Sequence, residues 1–135
     1  MGQQQLLLII LGVIVVGIAV AVGITMFSDS AVNSNRDALS NDLINLASRA
    51  QQFYRRPTSL GGGGNSFTRL TTSSITLLTN KPTNANGVYS IVTTGTSGST
   101  AKVVIKGVGN EILNGSPVAM QVDVFSDRDS VYMLH

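Results

Sequence analysis

No charged side chain occurs before Asp29, and the 22 residues from Leu6 to Phe27 that precede it are almost wholly aliphatic, glycine or alanine. At 1.5 Å of rise per residue, such a segment spans about 33 Å as a helix, which matches the roughly 30 Å hydrocarbon core of a bilayer. Val13, Ile14, Val15, Val16, Ile18, Val20, Val22 and Ile24 leave no polar stripe on any side. A helix that is apolar all round has to be buried all round, in lipid or among like helices. A cleavable secretory signal fits poorly, because it wants a basic leader and an apolar stretch of about 7 to 15 residues. The leader here is Met1, Gly2, Gln3, Gln4 and Gln5. Met1-Gly2 does not complete a myristoylation motif either, since Leu6 stands where Ser or Thr is needed.

Gly12, Gly17, Ala19, Ala21 and Gly23 lie inside the apolar segment. Gly17 and Ala21 are four apart, a spacing that lets a second helix backbone approach closely. The competing explanation is the general abundance of small residues in membrane helices.

From Asp29 the pattern turns amphipathic. Val32, Leu39, Leu46 and Phe53 are seven apart, with Leu43 and Ala50 between them and Arg36 as the one polar interruption. This a/d spacing predicts a packing face on a helix that continues to Arg56. Asn33, Ser34 and Asn35 are poor helix formers, so a kink or short break is expected there. Pro57 ends the helix, and Gly61 to Gly64 read as a flexible linker. Three segments follow: 1–28 as apolar helix, 29–56 as its amphipathic continuation and 57–135 as a small head. Three heptads make only a short zipper, so packing of this face under the protein's own head is preferred to a coiled-coil stalk.

The head alternates as strands do. Val88 to Thr94 sets Val88, Ser90 and Val92 on one side and Tyr89, Ile91 and Thr93 on the other. Ala101 to Lys106 opposes Val103 and Ile105 to Lys102, Val104 and Lys106. Pro117 to Phe125 points Met120, Val122 and Val124 inward and Gln121 and Asp123 outward, and Val131 to Leu134 forms the last strand. Thr68 to Thr79 reads equally as strand or loop. The short connections predict an antiparallel meander. The fold class is therefore α+β: a long N-terminal helix, apolar then amphipathic, packed against a small antiparallel sheet.

Reactive chemistry is sparse. There is no cysteine, and the only histidine is the terminal His135, so neither a thiolate metal site nor a Ser-His-Asp set can be built. Asp123, Asp127 and Asp129 surround a turn, but Arg128 sits among them and a full calcium loop is missing. The four glycines lack the Lys-Ser/Thr of a phosphate cradle. Asn114-Gly115-Ser116 matches a glycosylation sequon, with Pro117 directly after it. The net charge of +2 comes from scattered side chains, which gives no stripe for nucleic acid and no polybasic lipid patch. Ser, Thr and Asn, at 15, 12 and 10, outnumber the 16 charged residues more than twofold, so the surface is hydrated mainly by hydroxyls and amides. No cofactor, metal or catalytic residue is expected.

An uncharged N-terminal helix of this length, an amphipathic continuation and a small antiparallel head resemble the type IV pilin superfamily, with Gly2-Gln3-Gln4-Gln5-Leu6-Leu7-Leu8-Ile9-Ile10 carrying the likeness at residue level. The resemblance implies cleavage after a glycine, insertion in the inner membrane, and assembly by dedicated machinery into an extracellular homopolymer whose core is the apolar helices. It points to Met1, Gln3, Gln4, Gln5, Leu6, Gly12, Gly17, Ala21 and Gly23 as assembly residues. With Met1 as first residue, the favoured reading, Gln5 takes the place usually held by glutamate; with Gln3 first, Leu7 does. In the family that carboxylate is thought to neutralise a neighbour's terminal amine, a charge that is costly in an apolar core; three consecutive glutamines offer hydrogen bonds instead. The family's C-terminal disulfide is also absent. A secretion-system pseudopilin would share the fold and differ in forming a short periplasmic filament. A single-span anchored binding protein is the reading from a different class, and it predicts basic residues flanking the span.

Overall fold

The computed structural model describes residues 2–134. A single helix, α1, runs from Gly2 to Arg55, on the order of 80 Å in length. No break occurs at Asn33 to Asn35. Asn33 and Ser34 hang outward, Val32 is buried, and the Asn35 side chain donates a 2.8 Å hydrogen bond to the Asn86 carbonyl. Packing against the head thus overrides the weak local propensity.

The glycine run is no slack linker. Its amides cap the end of α1: Gly63 N donates to Phe53 O at 2.8 Å, Asn65 N to Tyr54 O at 2.7 Å and Gly64 N to Arg56 O at 2.9 Å. These bonds satisfy carbonyls that every helix leaves unpaired at its C-terminus. Gly62 and Gly63 are buried. A Cβ on Gly62 would fall 2.2 Å from the Arg56 carbonyl oxygen and one on Gly63 2.0 Å from that of Ser66. The requirement is close backbone approach, and glycine alone meets it.

A short 3-10 turn, Thr58–Leu60, precedes the glycines, and the ambiguous stretch after them is a loop with a second such turn at Ile75–Leu77. It is anchored by buried Phe67, Leu70 and Leu78, with Tyr54 stacked on Phe67 at 4.7 Å between ring centroids.

Four antiparallel strands then pair in chain order: β1 Gly87–Thr93, β2 Lys102–Leu113, β3 Ser116–Phe125 and β4 Asp129–Met133. The meander is as expected, but β2 extends seven residues past Lys106. Asn114 and Gly115, with φ of 52° and 82°, make the tight left-handed turn that closes a two-residue hairpin, so the sequon lies at that turn. β4 starts two residues before Val131, and Leu134 N still donates to Ala119 O at 2.8 Å.

Tyr89, Ile91, Val103, Ile105, Val118, Met120, Val122 and Val124 form the inner face, buried with Leu39, Leu43, Leu46, Ala47, Ala50 and Phe53 of α1 in one core. Val104, on the side opposite Val103 and Ile105, is only 4% exposed. It sits mid-sheet on the outer face between Thr93 and Asp123. The protein is α+β, one long helix laid across a four-stranded meander.

Candidate functional site

Helix α1 divides where its surroundings change. From Leu6 to Phe27 every large apolar side chain is between 48% and 80% exposed, and no part of the head reaches this segment. Sixteen such side chains, each forfeiting about 1.5 to 3 kcal/mol in water, amount to tens of kcal/mol, more than the roughly 5 to 15 kcal/mol that holds a domain folded. Water cannot be the working environment of this segment. It is long and apolar enough to cross a membrane. The one hydroxyl at its end, Thr25, donates back to the Val22 carbonyl at 2.8 Å, which removes the penalty of an unpaired donor in an apolar medium.

The glycines of this segment serve no purpose inside the protomer. A Cβ added to Gly12, Gly17 or Gly23 would meet nothing within 4 Å. At about 100° per residue, Gly12, Ala19 and Gly23 cluster on one side and Gly17 and Ala21 roughly opposite. Two thin faces are therefore available for close approach by other helices. Gln3, Gln4, Gln5 and Leu6 are exposed in the opening turns, which contain no acidic residue. Met1 lies outside the described residues.

Beyond the apolar segment, the six side chains assigned to head packing lie in one core: Val32, Leu39, Leu43, Leu46, Ala50 and Phe53 are all 5% exposed or less. Arg36, the interruption in that heptad, is half-buried, and its Nε has no partner among the described residues. Sequence reasoning missed a polar pin beside this face. One Asp42 oxygen accepts from Asn84 Nδ2 at 3.0 Å, Asn86 Nδ2 at 2.9 Å and the Tyr89 hydroxyl at 2.5 Å. Partial burial pushes the Asp42 carboxyl upward, but these hydrogen bonds from Asn86, Tyr89 and Asn84 outweigh it and hold the group below its ordinary value. Burial, then the bond to Asp42 and its charge, pushes the Tyr89 hydroxyl well above the usual range. Arg49 donates to the Leu78 carbonyl at 3.1 Å and Gln51 to that of Phe125 at 3.3 Å. The only hint in the sequence was a tyrosine on the inward side of a strand.

A cleft of about 360 Å³ opens beside the pin between α1 and the loop before β1, lined by Asp42, Asn45, Leu46, Arg49, Thr79 and Lys81 among others. One oxygen of its carboxylate is already engaged by three donors. On the outer sheet face, Asp123 pairs with Lys102 at 3.1 Å and accepts from Gln121 at 3.3 Å and Tyr132 at 3.1 Å. Burial acts to raise its pKa, and the bonds from Lys102, Gln121 and Tyr132 lower it on balance. Asp127 faces Arg128 at 4.0 Å. Among the described residues, no three of His, Cys, Asp and Glu come together as a metal-binding group. His135 lies outside the described residues.

No family model, curated protein or solved structure matches this chain. The architecture itself, a long apolar N-terminal helix whose distal half packs on a small antiparallel sheet, is pilin-like.

Proposed function

We propose that this protein is a structural subunit that polymerises through Leu6 to Phe27 into an extracellular type IV pilus-like filament, with its helices as the core and its hydroxyl-rich heads outside. The observation that carries the reading is the division of α1. Half of the helix lays one face under the protomer's own head, while the other half is exposed on every side and bears small-residue faces in two directions. Before assembly the apolar segment rests in the inner membrane. On assembly, delivered by export machinery, it exchanges lipid for neighbouring helices. Lipid is as apolar as leucine, so helix packing and head contacts supply the driving force.

The function needs no catalytic group and no cofactor. Gln3, Gln4 and Gln5 share hydrogen bonds between subunits at the buried base of the core, where other pilins use a carboxylate. The test is electron microscopy of material sheared from the cell surface, with mass spectrometry of the filament band. Thin uniform filaments composed of this chain support the proposal, and the same spectra give Met1 or Gln3 as first residue. Recovery only as a monomer from detergent-extracted membrane favours a single-span anchored protein instead.

A further inference from the structure

No aspartate or glutamate occurs between Asp42 and Glu111, whereas seven cations do: Arg49, Arg55, Arg56, Arg69, Lys81, Lys102 and Lys106. The fold brings three of them to one groove. Beside the cleft of about 360 Å³ lined by Asp42, Asn45, Arg49 and Lys81 lies a second of about 200 Å³, lined by Gln52 and Arg56, and Arg49 borders both. On a wheel of about 100° per residue, Asp42, Asn45, Arg49, Gln52 and Arg56 fall within about 80° of one another. Arg55 and Asp37 share a direction about 120° from Arg49, and Arg36 and Asp29 lie about 140° to 160° away. Arg69 donates to the Gly62 carbonyl at 2.9 Å. Lys102 and Lys106 belong to the outer sheet face, where Asp123 pairs with Lys102 at 3.1 Å. Among the described residues Asp42 is thus the groove's one carboxylate, against the three cations Arg49, Arg56 and Lys81.

The lining is open to a ligand. Arg49 commits one nitrogen of its guanidinium to the Leu78 carbonyl at 3.1 Å and keeps its other N–H groups. Among the described residues, the side chains of Asn45, Gln52, Arg56 and Lys81 make no hydrogen bond or salt bridge. Arg49 and Arg56 stand about two helical turns apart, about 10.5 Å along the axis, which suits a chain with regularly spaced anionic groups. A guanidinium forks onto a carboxylate, and a side-chain amide both donates and accepts, as a hydroxyl does. From this combination we propose that the groove binds an acidic saccharide chain, with carboxylates on Arg49, Arg56 and Lys81 and hydroxyls on Asn45 and Gln52. Nucleic acid is disfavoured, because the rings that border the groove, Tyr89 and Phe53, are 3% and 5% exposed and offer no face for a base. The groove starts at Asp42, about 22 Å beyond Phe27 along α1, out of reach of lipid headgroups at the end of the apolar segment. Each of these contacts is solvated and weak alone, so several have to act together. The proposal needs only the folded head and holds whether or not the chain polymerises.

The test is calorimetric titration of the detergent-solubilised full chain with a galacturonic acid oligomer, beside its methyl ester, which keeps the ring hydroxyls and loses the charge. The acid form is expected to bind, more weakly as salt rises, and the ester is expected not to. Arg56→Gln with Lys81→Gln should weaken binding about tenfold with protomer melting unchanged, whereas Arg55→Gln, outside the groove, should leave it intact. A polyphosphate or glutamate oligomer of equal charge should bind several-fold more weakly, since neither presents ring hydroxyls to Asn45 and Gln52. Asn45→Ala with Gln52→Ala should remove that difference. No binding of the acid form, binding that survives replacement of Arg56 and Lys81, or equally tight binding of polyphosphate or oligoglutamate overturns the proposal.

Discussion

Leu43 and Ile44 are adjacent in α1 and have opposite environments: Leu43 is fully buried beneath the sheet and Ile44 is 45% exposed. Replacing each by alanine therefore isolates the docking of the helix on its own head. Leu43→Ala removes a buried side chain from a packed core, which costs about 2 to 5 kcal/mol through lost transfer energy and the cavity left behind. The head and its half of α1 comprise about a hundred residues, for which each kcal/mol shifts the melting temperature by roughly 4 °C. A loss of about 3 kcal/mol corresponds to about 12 °C and to a large share of a stability of roughly 5 to 15 kcal/mol. Ile44→Ala, on the solvated side, should cost about 0.5 kcal/mol or less, a shift of about 2 °C. Both are read by circular dichroism of the detergent-solubilised chain during heating. Similar shifts for the two variants, or a larger one for Ile44→Ala, would refute the packing described and support a stalk that pairs through another face.

The remaining predictions concern the cap, the pin, the outer face and the apolar core. Gly63→Ala forces a Cβ within 2.0 Å of the Ser66 carbonyl oxygen and should lower the melting temperature by several degrees, whereas Gly17→Leu should leave protomer melting unchanged and reduce filament yield. Asp42→Ala strands the Tyr89, Asn84 and Asn86 donors and should destabilise by about 1 to 2 kcal/mol, allowing for the site's partial exposure, as measured by the same melt. Because the folded-state pKa of Asp123 lies below its unfolded value, its contribution is complete above about pH 4 and disappears as pH falls through the depressed value. The acid limb of a pH–stability curve should therefore flatten in Asp123→Asn. Replacing Gln3, Gln4 and Gln5 together by alanine should impair assembly without altering the head's melt; unchanged filament yield would reject a role for them.

The helix and its two faces were readable because the apolar run and the Val32 to Phe53 heptads are local patterns that period alone decodes. Other features depend on contacts between distant parts of the chain. Asn33 to Asn35 looked like a break, yet the Asn35 to Asn86 bond and the buried Val32 hold the helix through it. The four glycines have linker composition, but their positions are dictated by helix carbonyls and the Ser66 backbone, which no local rule reveals. The Asp42 pin joins residues 42 to 47 positions apart, so it exists only once the register of β1 against α1 is set. The full length of β2 was hidden because Gly107 and Gly109 interrupt its apolar alternation. They are buried on its inner face, where a Cβ on Gly107 would lie 2.9 Å from the Tyr89 ring and one on Gly109 2.0 Å from the Asn35 side-chain oxygen.

Helical reconstruction by electron cryo-microscopy of filaments sheared from cells making this chain tests the central claim most directly. The account predicts a central bundle of parallel helices in which Leu6 to Phe27 of every copy is enclosed by other copies, with the four-stranded heads on the outside. Filaments whose core is made of another chain, or in which Leu6 to Phe27 stays in the membrane while the heads alone associate, would contradict it.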